Sequence, residues 1–207
     1  MIKEETIETQ IIANAAEHFL TKGFKSVTMD DLASSLGMSK KTIYTYFKTK
    51  NELINTVTNY LFDIISTGID YIRSQSYNPI EELFIVNDFV QKNLKNENSS
   101  PLYQLQKYYP KTHNELIKKQ FEVAHDCISN NMKNGIDEGL YRKGLNVEFI
   151  SRIYFSLIID IKDQDMFPKE TFPVTKTVTE FLDYHIHGIS TLKGLKKLEE
   201  IQQKRRQ

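Results

Sequence analysis

The stretch from Lys40 to Lys50 carries side chains suited to binding a polyanion. Four lysines and no acidic residue lie between Gly37 and Lys50. If the stretch is a helix of 100° per residue with Ile43 and Phe47 facing inward, its outward face is polar. That face consists of lysines, hydroxyls and phenols: Lys41, Thr42, Thr45 and Tyr46, with Lys40 and Tyr44 on its flanks. Groups of this kind can bind phosphates and reach base edges, although a solvated basic helix would have the same composition.

Two short helices and a tight turn are predicted to hold this surface in place. Thr28 followed by Asp31 is typical of a capping box at a helix start. Gly37 is suited to the left-handed residue that ends a helix, and Ser39 to the N-cap of the next one. The run from Thr49 to Glu52 predicts a second capping box, which opens a further helix. Two helices joined by a glycine-containing turn are typical of helix-turn-helix DNA-binding domains.

Several short motifs follow one another in this part of the chain. They are an apolar first helix ending in Phe19 and Lys22-Gly23-Phe24, then Val27-Thr28-Met29-Asp30-Asp31-Leu32-Ala33, Leu36-Gly37-Met38-Ser39, Ile43-Tyr44 and Phe47-Lys48-Thr49-Lys50-Asn51-Glu52-Leu53. With these motifs, the run from Ile11 to Leu53 closely resembles the DNA-binding domain of TetR/AcrR-type transcriptional regulators. The chain departs from that family at Thr45-Tyr46, where an aromatic residue followed by His is common. An operator sequence therefore cannot be copied from a relative.

Composition limits the classes of protein that the chain can represent. Its 207 residues contain 27 Lys and Arg and 27 Asp and Glu. Zero net charge argues against a globally basic DNA binder, but it allows local positive charge. No apolar run approaches the ~20 residues that span a membrane, and the polar, acidic first ten residues predict no signal peptide. We therefore expect a cytoplasmic protein, in which the single Cys127 is buried.

Helical periodicity continues to the end of the chain, which predicts an all-α fold of about nine helices. Helix one is predicted at about 5–21, and polar loops are predicted at 95–100 and 160–173. The later helices are predicted at about 50–74, from Pro79, from Pro101 to Tyr109, at about 112–138, after the Asn146 cap, and from Thr175, with a continuation over Leu195 and Leu198 left open. The tail from Lys193 to Gln207 is expected to be a solvated, fraying end.

We expect a helix-turn-helix DNA-binding domain at 1–50 and a helical ligand-binding and dimerisation domain at 51–207. The three-helix core of the first domain is small, so it is expected to pack against a larger body. The resemblance implies a homodimer formed by the last two long helices, a repressor role and an unknown small-molecule inducer. Two DNA-binding heads can engage major grooves ~34–36 Å apart on palindromic double-stranded operator DNA. An activator of the same family, or a helical ligand- or protein-binding module that no longer reads DNA, are the alternatives.

Candidate site residues divide into three groups. Base edges are assigned to Lys41 and Thr42, with Lys40 and Tyr44 beside them. Phosphates are assigned to Thr28, Ser39, Thr45, Tyr46, Lys48 and Lys50. Ligand-pocket candidates, each of which is more often plain core, are Phe62, Phe89, Tyr103, Tyr108, Tyr109, Phe121, His125 and Phe155, with Met132 and Met166.

Catalytic and metal motifs are missing from the sequence. It has no phosphate loop, dinucleotide glycine pattern, nucleophile elbow or zinc-ligand spacing. Its close acid pairs lie at helix starts or on solvated faces, and His185 and His187 point away from each other on a helix. We therefore expect neither enzyme activity nor a cofactor.

Overall fold

A computed structural model describes residues 6–94, 101–163 and 165–205, and every regular element in these ranges is a helix. The ten helices of the described ranges are α1 (Ile7–Lys22), α2 (Met29–Leu36), α3 (Lys40–Tyr46), α4 (Lys50–Arg73), α5 (Pro79–Asn93), α6 (Pro101–Tyr108), α7 (Pro110–Asp137), α8 (Val147–Asp160), α9 (Val174–Ile189) and α10 (Leu192–Arg205). The all-α prediction is confirmed. The loop predicted at 95–100 lies outside the described residues.

The end of the chain differs from its prediction. Helix α9 ends at Ile189, and the next residue, Ser190, is extended and forms an isolated bridge with Tyr141. A separate helix, α10, follows, so the described chain has one helix more than expected. The prediction of a solvated, fraying tail is wrong, because α10 buries Leu198 and Ile201 in an apolar core.

The chain forms two compact units. The first comprises residues 1–66 and 93–119, and the second comprises residues 67–92 and 120–207. Helices α4 and α7 each contribute residues to both units. The division at residue 50 into DNA-binding and ligand-binding parts is a division by function, and it stays a prediction.

Each unit has an apolar core of its own. The first core contains Ile11, Phe19, Leu32, Ile43 and Phe47 from α1 to α3, and it also includes residues from α4 and α6. Burial of these side chains fixes the relative positions of the three N-terminal helices. The second core draws on α5, α7, α9 and α10, including Ile80, Met132, Leu182, Ile186 and Leu198.

None of the helices in the described part of the chain is both long enough and apolar enough to cross a bilayer.

Candidate nucleic-acid interface

Helix α2 begins with the predicted capping box. The Asp31 N–H donates to the Thr28 hydroxyl at 3.1 Å, and the Thr28 N–H donates to the Asp31 carboxylate at 2.8 Å. These bonds satisfy donors that have no partner inside the helix. They also lower the pKa of the Asp31 carboxyl, the backbone bond from Thr28 being the largest cause. The start of α2 is therefore set locally by residues three apart.

Gly37 ends α2 in the left-handed conformation, with φ 63° and ψ 25°. A residue with a Cβ adopts these angles at a cost, which explains the preference for glycine. Ser39 then caps α3, because its hydroxyl accepts from the Thr42 N–H at 3.0 Å. The turn between the two helices therefore has the predicted chemistry at both ends.

Helix α3 faces the core as predicted. Ile43 is fully buried, and Phe47, just past the end of the helix, is only 2% exposed. On the other side, Lys41, Tyr44, Thr45 and Tyr46 are exposed, whereas Thr42 is half-buried. The apolar contacts thus leave one face of α3 available to a large partner.

The start of α4 departs from the predicted capping box. The Glu52 N–H donates to the Thr49 hydroxyl at 3.1 Å, as expected. However, the Glu52 carboxylate accepts from the Lys48 N–H at 2.8 Å, one residue before the position that a capping box uses. Helix α4 nevertheless begins at Lys50.

The four lysines of this surface have different surroundings. The Lys40 ammonium forms an ion pair with Asp30 at 2.7 Å. Lys50 is half-buried and donates to the Lys25 carbonyl oxygen at 3.1 Å, and this burial lowers its pKa. In the described part of the chain, no carboxylate lies within 4.0 Å of the ammonium of Lys41 or Lys48.

The predicted phosphate-binding hydroxyls are engaged inside the protein. Thr28 donates to Asp31 at 2.8 Å, and Thr45 donates to the Lys41 carbonyl at 3.0 Å. The hydroxyls of Ser39 and Thr42 share a hydrogen bond of 2.8 Å. A phosphate would have to replace the bonds that Thr28 and Thr45 donate, since each hydroxyl donates only one proton, whereas one hydroxyl of the Ser39–Thr42 pair can still donate to a phosphate. The spacing of these residues in the sequence does not show that internal hydrogen bonds compete with a phosphate for them.

The ligand candidates of the first unit are not enclosed. Tyr103 and Tyr108 are exposed on α6, where the ammonium of Lys107 lies 5.6 and 5.7 Å from the centres of their rings. The ammonium of Lys119 lies 5.7 Å from the ring of Phe62. Tyr109 packs against the first core. Choosing ligand candidates by their aromatic character therefore selected both surface residues and core residues.

Three candidates of the second unit lie together between α7 and α8. The ring of Phe121 lies 5.4 Å from the ring of His125 and 5.4 Å from the ring of Phe155. His125 is 2.7 Å from the carboxylate of Glu148, which Arg152 also contacts at 2.6 Å. These hydrogen bonds lower the pKa of Glu148, the bond from Arg152 being the largest cause.

Phe89 lies elsewhere in the second unit, in an open groove of about 460 Å³. The groove is lined by Gly68, Tyr71, Ile72, Ile85, Asp88, Phe89 and Lys92. Met132 is fully buried in the second core, and Met166 is exposed. Among the described residues, no group of three His, Cys, Asp or Glu side chains is arranged to hold a metal ion.

Sequence reasoning missed three residues of the first unit that bear on this surface. They are Asp30, which pairs with Lys40, and Lys25 and Lys107, whose ammonium groups lie over the ring of Tyr108. The pairs Asp30–Lys40 and Lys25–Tyr108 are separated by 10 and 83 residues, so no local pattern could have identified these two contacts.

Comparison with known proteins agrees with this geometry. The model of the family described as bacterial regulatory proteins, tetR family, matches residues 11–57. The HTH-type transcriptional regulator YvaF of Bacillus subtilis (strain 168) is 23% identical over 188 residues, which cover 89% of this chain and 96% of YvaF. The negative transcriptional regulator IcaR of the biofilm operon icaADBC, from Staphylococcus aureus (strain Newman), is 28% identical over 78 residues. That match covers 38% of this chain and 42% of IcaR.

The likeness in structure extends over nearly the whole chain. SmeT, the repressor of the Stenotrophomonas maltophilia multidrug efflux pump SmeDEF, superposes with a TM-score of 0.69 at 16% identity. The superposition covers 91% of this chain and 92% of SmeT. At this level of identity, the likeness shows the fold.

Proposed function

Because this chain belongs to the TetR family of bacterial regulatory proteins, we propose that it is a transcriptional repressor that binds palindromic operator DNA as a homodimer and is released by a small-molecule inducer. The observation that carries this proposal is the exposed face of α3. Lys41, Tyr44 and Tyr46 project from a helix whose opposite side is locked into an apolar core. A rigid helix with an unneutralised cation suits insertion into a major groove.

The proposed contacts with DNA are the ones that the sequence predicts. Lys41 and Thr42 read base edges, with Tyr44 and Lys40 beside them, once Lys40 has left Asp30. Phosphates are bound by Thr28, Ser39, Thr45, Tyr46 and Lys48. Lys50 is the weakest of the assigned phosphate contacts, because its ammonium already donates to the Lys25 carbonyl.

Exposed apolar side chains on α8 and α9 support the homodimer. Phe149 and Ile153 lie one turn apart on α8 and are 59% and 41% exposed. On α9, Tyr184 is 76% exposed, and Gly188 one turn later faces open space. Apolar side chains grouped on a surface are expected to pair with a partner. The same two helices of a second copy would complete a four-helix bundle.

A binding site for the inducer is supported by the groove that contains Phe89. Its volume of about 460 Å³ lies within the ~300–1,000 Å³ range of small-molecule pockets. Apolar residues and rings dominate its lining, while Asp88 and Lys92 offer charged groups at its edge. An inducer that prefers one conformation of the dimer would alter operator affinity by roughly 5–150-fold.

Repression is proposed because two of the similar proteins carry that role in their names. IcaR is a negative transcriptional regulator, and SmeT is a repressor. The same surface could serve an activator, since the sign of regulation depends on where the operator lies relative to the promoter.

Selection of bound sequences from a random duplex pool, at two salt concentrations, tests the proposal. A regulator of this type enriches a palindrome, and its affinity falls steeply with salt because bound phosphates release counterions. Failure to enrich any sequence would contradict DNA reading, and enrichment of a single half-site would contradict the dimer.

Lys41→Ala tests which residues read the bases. We expect the selected sequence to change at one position of each half-site, with ~1–3 kcal/mol less discrimination there. Lys118→Ala, an exposed lysine on α7, is the matched control and should leave base preference unchanged. An unchanged preference in the Lys41 variant would show that α3 is placed differently on the DNA.

A further inference from the structure

Helix α6 is built into the same compact unit as the DNA-reading helices. Its Leu105 is only 2% exposed and belongs to the core that contains Ile43 and Phe47. The side chains on the outer face of α6 are therefore held in a definite position relative to α3, without any contribution from the second unit.

A second contact fixes α6 against the loop that follows α1. The Lys25 N–H donates to the Gln104 side-chain oxygen at 3.0 Å. Gly23 has φ 89°, and a Cβ at this position would lie 2.2 Å from the Gln104 amide. Glycine is required here by its backbone angle, and a Cβ would also displace the end of the Gln104 side chain. Lys25 is consequently anchored to α6 through its backbone, whatever its side chain does.

Two lysines and two tyrosines share the exposed surface at this junction; we call Lys25, Tyr103, Lys107 and Tyr108 the α6 patch. The Lys25 ammonium lies 4.4 Å from the centre of the Tyr108 ring and 3.3 Å from its hydroxyl. The Lys107 ammonium lies 3.4 Å from the Tyr103 hydroxyl. The rings thus hold both cations in place by cation–π attraction and hydrogen bonds, neither of which cancels their charge.

Carboxylates near the patch are engaged elsewhere. Among the described residues, no carboxylate lies within 4.0 Å of the ammonium of Lys25 or Lys107. Asp30 and Asp31, the first acids after Lys25 in the sequence, are bound to Lys40 and Thr28. The hydrogen bond with Tyr103 also raises the pKa of Lys107, so this lysine stays charged at neutral pH.

The patch is continuous with the start of α4. Lys50, the first residue of α4, donates to the Lys25 carbonyl oxygen at 3.1 Å. Three cations, on residues 50, 25 and 107, therefore follow one another across the surface of the first unit.

We propose that the α6 patch is an accessory binding site for the DNA backbone, in which Lys25 and Lys107 contact phosphates next to the base pairs read by α3. This inference rests on the proposed function. Tyrosine-held ammonium groups that point to solvent suit phosphate oxygens and carry no base-specific geometry. The patch therefore increases affinity for every duplex and leaves base preference unchanged.

The test compares Lys25→Gln/Lys107→Gln with the native chain on the duplex enriched from the random pool. Affinity is measured by fluorescence anisotropy at four or more salt concentrations. The exponent of the salt dependence is expected to fall by about 3.6 for the proposed homodimer, because four phosphate contacts are lost, two from each protomer, and each removes about 0.9 from it. At 0.1 M salt, affinity should fall roughly tenfold or more, equally for operator and unrelated duplexes.

Two controls accompany this variant. Lys118→Gln/Lys196→Gln removes the same charge from exposed positions outside the patch and should leave the exponent close to that of the native chain. Lys25→Arg/Lys107→Arg keeps the charge and should retain the exponent. Equal thermal unfolding midpoints establish that the variants are folded.

An unchanged exponent for Lys25→Gln/Lys107→Gln would overturn the inference and leave the proposed function intact. Weakened binding of heparin together with an unchanged DNA exponent would assign the patch to another polyanion and would also overturn it. A changed base preference would show that the substitutions disturb α3, against a role limited to phosphates. If the native chain bound no duplex at all, the proposed function itself would fail.

Discussion

The two compact units differ in where they place their polar groups. In the first unit, Thr58 is the one polar residue among the described buried positions, and its hydroxyl donates to the Asn55 carbonyl at 2.9 Å. The second unit buries polar or charged side chains on several helices: Glu82, Ser129, Asn131, Ser151, Thr177, His185 and Ser190.

Some of the polar groups in the second unit are well matched. Asn131 donates to the Pro79 carbonyl and to the Glu82 carboxylate, both at 2.8 Å, and accepts from the Tyr141 hydroxyl at 3.1 Å. Other polar groups in the second unit lack partners. The buried Nε2 of His185 and Oγ of Ser129 have no hydrogen-bond partner among the described residues.

This difference indicates that the two units have different roles. An apolar core holds the helices of the first unit rigidly, while its polar groups stay on the surface, where the DNA contacts are proposed. Buried polar groups without partners raise the free energy of the folded second unit. We therefore expect the stability of the second unit, rather than that of the first, to respond to pH and to an inducer.

Phe19→Ala should produce the largest effect. Phe19 is fully buried, and its ring lies 5.0 Å from the ring of Phe24. Truncation should lower the free energy of unfolding by about 3–5 kcal/mol, because it removes apolar contacts and leaves a cavity. Urea unfolding measures this loss, and DNA binding should weaken with it. Tyr71→Ala, at an exposed aromatic residue of the second unit, is the control. A loss below 1 kcal/mol would contradict a tightly packed first unit.

His185→Phe should change the pH dependence of stability. Burial lowers the pKa of His185 to about 4, against ~6.5 in an unfolded chain. As pH falls below about 6.5, His185 becomes protonated in the unfolded chain but stays neutral in the folded chain. The free energy of unfolding therefore decreases until about pH 4. The native chain should lose about 3 kcal/mol over this window through this residue.

The phenylalanine variant should lack that part of the loss, since it has no group to protonate and its ring can keep the contacts with Tyr154 and Phe181. Unfolding measured from pH 7 to pH 4 gives the difference between the two chains. His187→Phe, at an exposed position on the same helix, is the matched control for the substitution itself. If the free energy of unfolding depended on pH in the same way for the native chain and both variants, burial would not keep His185 neutral in the folded protein.

Asp30→Asn should have the smallest effect, on affinity and not on folding. It breaks the ion pair that holds the Lys40 ammonium at 2.7 Å and removes a negative charge from the DNA-facing surface. Affinity for all duplexes should rise several-fold, because Lys40 no longer has to leave Asp30 before it contacts DNA and a repulsive charge is gone. Glu115→Gln, an exposed acid on α7, is the matched control. An unchanged affinity would mean that the Asp30–Lys40 ion pair does not compete with DNA.

Local signals made the helix-turn-helix region predictable. The Thr28 cap, the left-handed Gly37 and the Ser39 cap depend on hydrogen bonds between residues three to five apart. Such contacts form in nearly the same way whatever surrounds them. The inward placement of Ile43 and Phe47 followed from helical periodicity and is confirmed.

The ligand candidates were less predictable, because aromatic character does not tell core, surface and pocket apart. Tyr103 and Tyr108 were selected by the same criterion as Phe89, yet they are exposed beside lysines while Phe89 lines a groove. The tail was misjudged for a related reason. Its lysines suggested a solvated end, whereas Leu198 and Ile201 recur at helical spacing and are buried.

The sequence by itself determined most of the helices, the caps of α2 and α3 and the resemblance to a family, because each depends on residue type and on short-range spacing. Tertiary structure alone decided which lysine is paired, half-buried or open to a partner. Lys40, Lys48 and Lys50 are alike in sequence, but Asp30 holds one and the Lys25 carbonyl holds another. These partners lie 10 and 25 residues away along the chain. Only folding brings them within hydrogen-bonding distance, where charges interact strongly enough to matter.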